Sequence, residues 1–174
     1  LMSNFRGNYG YVILSAMGIG LQCYFTGFAV AMPPRSKHFN EKFMQENFGE
    51  LHQKEIGKPL PKGGYPDNGS GIYSQKLTYK QWFELNNAQR CHQNYVEQVG
   101  IMIPTTLIAG YYYPLVAAAF GVGMMGGRVA YTMGYTSDEG PNKREAGAIT
   151  GAVFFMLQAG LALVTGVKMI RGRQ

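Results

Sequence analysis

The sequence predicts an all-α fold, an integral membrane four-helix bundle. The first observation behind that prediction is how the polar residues are distributed. They are concentrated in one block, roughly 33–79, so a mean hydropathy of −0.12 conceals apolar stretches on either side. Second, four stretches approach the length of about 20 mainly apolar residues that a bilayer span needs. They are Tyr9–Met32, Trp82–Tyr112 (polar in its first half), Pro114–Tyr135 and Ala146–Ile170. Third, these stretches are rich in Gly, Ala, Met and aromatics, as in helices that pack closely in lipid. At 174 residues the chain reads as one domain. Its helices are expected over about 9–32, 78–112, 114–135 and 144–170, with a long polar loop over 33–77.

The net charge of +6 and the pI near 9.3 would raise nucleic acid as a partner for a soluble chain. Here the basic residues flank apolar spans, which fits membrane lipids with anionic headgroups, and no basic tract or recognition motif is seen. No nucleic acid is therefore expected. The two cysteines, Cys23 and Cys91, both fall in predicted helices, so neither a disulfide framework nor a metal is expected. The chain starts with Leu1, not Met, so a targeting peptide upstream is neither seen nor excluded.

Each element has a local reason. Helix one, after a short polar entry, has Gly18, Gly20 and Gly27 for close packing and is expected to stop at Pro33-Pro34, which lack the N–H to continue it. Phe43, Phe48 and Leu51 recur loosely at helical spacing within 39–60, which suits either a surface amphipathic helix or a solvated segment. The stretch from Pro59 to Gly71, with its run Pro61-Lys62-Gly63-Gly64-Tyr65-Pro66-Asp67-Asn68-Gly69, reads as a structured loop of turns and contains the sequon Asn68-Gly69-Ser70. Thr78 and Gln81 form a capping box for helix two. The turn Tyr111-Tyr112-Tyr113-Pro114 makes helices two and three an antiparallel hairpin, with Pro114 at the first helical position. Gly121, Gly123 and Gly126 match a dinucleotide fingerprint formally, but no strand precedes them, so they read as packing residues. Asn142 and Glu145 are expected to cap helix four, which closes with Lys168, Arg171 and Arg173. Both long loops then share one membrane face. Lys and Arg are more frequent at the span ends there, which favours the cytoplasmic side, although an anion-binding site would need the same charges.

Helix two carries the densest chemistry. Asn87, Arg90, Asn94 and Glu97 are spaced by three, four and three, so they share one helix stripe. A cation, an amide and a carboxylate in a row can receive a small zwitterion, its carboxylate at Arg90 and its ammonium at Glu97. The alternative is a polar face turned to water. On helix three, Arg128, Tyr131 and Tyr135 also share a face. An arginine this deep needs a partner, and Glu97 on the hairpin mate is the candidate. The tyrosines otherwise read as interface anchors.

The motifs Asn-Asn-Ala-Gln-Arg-Cys-His-Gln-Asn-Tyr-Val-Glu (Asn86 to Glu97) and Gly-Arg-Val-Ala-Tyr-Thr-Met-Gly-Tyr (Gly127 to Tyr135), with Arg144 trailing, resemble those of a known superfamily. It is that of membrane-associated proteins in eicosanoid and glutathione metabolism, MAPEG, and in particular its microsomal glutathione S-transferase 3 branch. The resemblance implies a homotrimer of four-helix protomers that binds glutathione as co-substrate between neighbouring subunits. Arg90, Asn94 and Glu97 would hold glutathione, completed by Arg128, Tyr131, Tyr135 and Arg144, with His92 reaching in from the neighbour. Arg35 would be the catalytic residue that stabilises the thiolate. The implied activity is glutathione transfer to lipophilic electrophiles, or reduction of lipid hydroperoxides, in the endoplasmic reticulum or a mitochondrial membrane. This sequence departs from the family after Glu97, where Gln98, Val99 and Gly100 replace the usual tyrosine and proline, and in its long loop, which would overlie the site as a lid, a docking surface or a plug. The competing expectation is a non-catalytic accessory subunit or adaptor, bound to other membrane subunits.

Overall fold

Apolar side chains on the long helices of this chain face outward. In the computed structural model, Leu14, Leu163 and Ile170 are 69, 74 and 70 % exposed, the reverse of a water-soluble protein and what a lipid-facing surface requires. The structure describes residues 2–64 and 67–172, without the side chains of residues 2–6. Tyr65 and Pro66 of the predicted turn run, and Arg173, lie outside the described residues. Among the described residues three helices are long and apolar enough to cross a membrane: Gly7–His38, Pro114–Tyr135 and Gly140–Arg171. The expected span at 82–112 is not one of them, because its first half is polar. The chain divides into two compact units, one of Leu1–Phe25 with Gln93–Gln174 and one of Thr26–His92.

In the first unit, α1 (Met2–Thr26), the second part of α5 (Tyr79–Gly110), α6 (Pro114–Tyr135) and α7 (Glu145–Arg171) pack around Ile19, Cys23, Tyr95, Met102 and Met124. Small residues set the spacing. A Cβ at Gly127 would lie 2.5 Å from the Gly151 nitrogen, so α6 and α7 touch backbone to backbone there. Pro104 sits inside α5 without ending it. The Thr105 and Thr106 hydroxyls donate to the carbonyls of Ile101 and Met102, at 2.6 and 2.8 Å, which keeps that turn's polar groups partnered. The tyrosine turn occurs as expected, with Pro114 opening α6 and the Lys168 ammonium over the rings of Tyr112 and Tyr113. The expected cap by Asn142 does not form. A 3-10 turn, Gly140–Arg144, runs directly into α7 and no side chain caps the junction.

The second unit corrects two expectations. Helix one does not stop at Pro33-Pro34. A π turn, Gly27–Ala31, lets the Met32 N–H reach back five residues to the Gly27 carbonyl, and α2 (Met32–His38) follows. The prolines thus fall at the first positions of a helical segment, where a missing N–H costs nothing. Arg35 therefore stands on a continuing helical turn. The predicted polar loop is also largely ordered as helix. After an Asn40 cap come α3 (Glu41–Met44), a π turn (Gln45–Gly49) and α4 (Glu50–Ile56). Gly57, at φ 74°, ends α4 in the left-handed conformation that glycine adopts without penalty. Phe39, Met44, Phe48, Leu60, Tyr73 and Leu85 form a core of this unit's own.

The turn run is knotted around Asp67, which is 5 % exposed. Its Oδ1 accepts the Gly69 N–H, the Gly71 N–H and the Ser74 hydroxyl at 2.9, 3.0 and 2.8 Å, and its Oδ2 accepts the Ser74 N–H at 3.0 Å. Burial, the largest single influence, would raise this pKa, but the Ser74, Gly71 and Gly69 bonds outweigh it and hold the carboxyl below its ordinary value. The Trp82 indole donates to the Gly69 carbonyl at 2.8 Å. The capping box forms as predicted: Thr78 N–H reaches Gln81 Oε1 at 2.9 Å and Gln81 N–H reaches Thr78 Oγ1 at 3.4 Å.

Candidate functional site

The first unit holds a cleft of about 420 Å³ between α5, α6 and α7. One end is polar, formed by Asn94, Gln98, Arg128 and Tyr131, and its walls are apolar, formed by Ile101, Met102, Ala148, Ala152 and Phe155. Gly147 and Gly151 complete the lining; at Gly147 a Cβ would run into the Tyr131 nitrogen, so α6 leaves no room for a side chain there, whereas a Cβ at Gly151 would stand in open space. Asn94 and Gln98 are one helical turn apart on α5 and so face the cleft together.

Arg128 is buried, at 7 % exposure. Its Nη1 donates to Asn94 Oδ1 at 2.8 Å and its Nη2 donates to Gln98 Oε1. The guanidinium carbon lies 4.6 Å from the Tyr95 ring centre and 5.3 Å from that of Tyr131. Two faces of aromatic density and two amide oxygens offset much of the cost of a buried cation. Tyr95 is in turn fixed by its hydroxyl, whose single proton is shared between Gln22 Oε1 at 2.8 Å and the Ile19 carbonyl at 3.1 Å. Gln22 donates to the Met125 carbonyl at 3.1 Å, so α1 braces both helices that hold the arginine. Beyond Arg128 the aromatic column continues. Tyr131 and Tyr135, both buried, have ring centres 5.4 Å apart, and Arg144 lies 5.1 Å over Tyr135.

The structure thus brings together Asn94, Arg128, Tyr131, Tyr135 and Arg144 of the residues expected from sequence. Arg128 donates to Asn94 and Gln98, and Glu97, its expected partner, is exposed. The helical steps explain this. Asn94 and Gln98 share the face turned to α6, and Glu97 projects one step round the helix. Arg35, Arg90 and His92 belong to the Thr26–His92 unit. There Arg35 is half-buried on α2, Arg90 is exposed, and His92 is half-buried against Gly27, where an added Cβ would meet its ring at 3.2 Å.

A model of the MAPEG family matches residues 53–164, well over half of the chain. The chain belongs to the MAPEG family. The match covers the whole MAPEG cleft described above and the Arg128-to-Arg144 column, while Arg35 lies outside it. Sequence reasoning for this MAPEG protein missed Gln98, which it counted only as a lost tyrosine, and missed Tyr95 and Gln22. The available signal was spacing: Gln98 is four residues from Asn94, and Gly147 and Gly151 form a small-xxx-small pair. Membership and three apolar helices fit an integral membrane protein.

Proposed function

We propose that this MAPEG protein is a membrane-bound glutathione transferase or peroxidase of the microsomal glutathione S-transferase 3 type, working as a trimer of four-helix protomers. The observation that carries the reading is the cleft with Arg128, Asn94 and Tyr131 at a polar end and apolar walls below. Such a cleft suits a polar tripeptide meeting a lipophilic partner, which would arrive from the bilayer. The family resemblance is the ground for adding Arg90, Glu97, Tyr135 and Arg144 as glutathione contacts, with His92 from the neighbouring subunit, and Arg35 as the group that stabilises the thiolate. A free thiol has a pKa of about 8.5, and lowering it by one or two units takes roughly 1.4 to 2.7 kcal/mol of preferential thiolate binding. One guanidinium in a partly desolvated site can supply that. The continuing helical turn through Pro33-Pro34 supports a fixed position for Arg35.

In transfer, the thiolate sulfur forms a bond to an electrophilic carbon, the carbon's bond to its leaving group breaks, and the leaving group departs with that electron pair. In peroxide reduction, the sulfur attacks one oxygen of a lipid hydroperoxide. The O–O bond breaks, the lipid leaves as an alcohol after taking a proton, and a second glutathione resolves the sulfenic acid to the disulfide and water. The deciding experiment is the ultraviolet absorbance of the thiolate on adding glutathione to the purified protein, repeated with Arg35→Ala and Arg90→Ala. Wild type should show the band, Arg35→Ala should bind without it, and Arg90→Ala should bind far more weakly. Absence of binding by wild type at millimolar glutathione sinks the proposal.

A second reading, a non-catalytic accessory subunit of a larger membrane assembly, is favoured by one feature. The Thr26–His92 unit has its own core yet leaves Leu51, Ile56 and Ile72 exposed around a groove of about 240 Å³. It predicts stoichiometric co-purification with other membrane subunits and no turnover.

A further inference from the structure

The polar end of the cleft has a feature that the resemblance does not supply. A guanidinium only donates hydrogen bonds, so the atoms that face it on Asn94 and Gln98 must be the amide oxygens. That fixes both amide orientations. The Gln98 amino group then turns to Asn94 Oδ1, at 3.4 Å. This oxygen therefore receives both Arg128 Nη1 and Gln98 Nε2, and its two lone pairs are engaged. What Asn94 retains for a ligand is its amino group, a donor. Arg128 is the one charged residue in the lining, and it too only donates.

We propose that Gln98 is a positioning and specificity-determining residue: it locks Asn94 and Arg128 into a donor pair, so this end of the cleft takes a carboxylate or peptide carbonyl of the bound tripeptide. The inference rests on the glutathione reading above and adds to it which ligand group goes where. Gln98 itself is exposed, so its replacement removes no core packing, and the cost to the fold is the bond it makes to Arg128.

The test measures glutathione affinity by calorimetry on the full chain in lipid nanodiscs, with the ligand-free thermal midpoint beside it, for wild type, Gln98→Leu, Gln98→Met and Gln98→Glu. Two apolar variants are used so that misfolding of one leaves the comparison intact. Without Gln98, ligand binding must itself order the Asn94 and Arg128 side chains, which predicts roughly tenfold weaker binding for Leu and Met. Gln98→Glu keeps an oxygen for Arg128 but offsets its charge, so it should bind glutathione more weakly than Leu while its midpoint holds or rises. Three results overturn the proposal: Leu and Met variants within twofold of wild type, Gln98→Glu binding more tightly than Gln98→Leu, or affinity losses that merely track falling midpoints. If wild type itself binds no glutathione, the functional reading fails and this inference fails with it. If wild type binds and Gln98→Leu is normal, only the role of Gln98 is lost.

Discussion

Replacing Asp67 should undo the turn run that orders the Thr26–His92 unit. The carboxylate accepts four hydrogen bonds, and Asp67→Asn preserves its shape. The amide oxygen would stay where three donors converge, which puts the new amino group against the Ser74 N–H. One bond becomes a donor–donor contact, a buried N–H is left unpaired, and the other bonds lose the help of a negative charge. Together these should cost about 3 kcal/mol, near a hundredfold in the local opening equilibrium. Asp67→Ala, which removes every acceptor, should cost at least as much. Hydrogen exchange at the Ser74 amide measures this directly. Trp82 is the single tryptophan of the chain and its indole bonds the Gly69 carbonyl, so its fluorescence reports the same segment. The sign of the pH effect also follows. Asp67 has a lowered pKa when folded, against about 3.9 unfolded. Its stabilisation is therefore complete above about pH 4 and is lost as pH falls through the folded value. Asp67→Asn should abolish that acid sensitivity. Wild-type protection of Ser74 in Asp67→Ala would refute the reasoning.

Two further outcomes are expected. Arg128→Lys keeps the charge but cannot bond Asn94 and Gln98 as a fork or stack between Tyr95 and Tyr131, so glutathione affinity in calorimetry should fall about 10- to 100-fold. Gly127→Ala puts a Cβ 2.5 Å from the Gly151 nitrogen, so α6 and α7 must separate, and the thermal midpoint in detergent should drop by the equivalent of about 1 to 3 kcal/mol.

How far a residue could be read from sequence depended on whether its partner was local. The Thr78–Gln81 box and the Tyr111-to-Pro114 turn are settled within a few residues, and both occur as read. Pro33-Pro34 misled because the rule for prolines assumes α-helical register, and the π turn before them changes the register. The block at 33–77 looked like a loop because its charges dominate the composition. Its apolar residues find one another only after distant segments meet, Phe39 and Met44 against Tyr73 and Leu85.

The amino-acid sequence by itself determined that the chain is helical and membrane-embedded, since span length and apolar composition answer to the bilayer. It also determined the family, through two motifs set by spacing along single helices. Only the tertiary structure decided what Arg128 bonds. The choice between Glu97 and the pair Asn94 and Gln98 turns on which face of α5 is turned to α6, and that is fixed by Tyr95 reaching Ile19 and Gln22 on a helix more than seventy residues earlier.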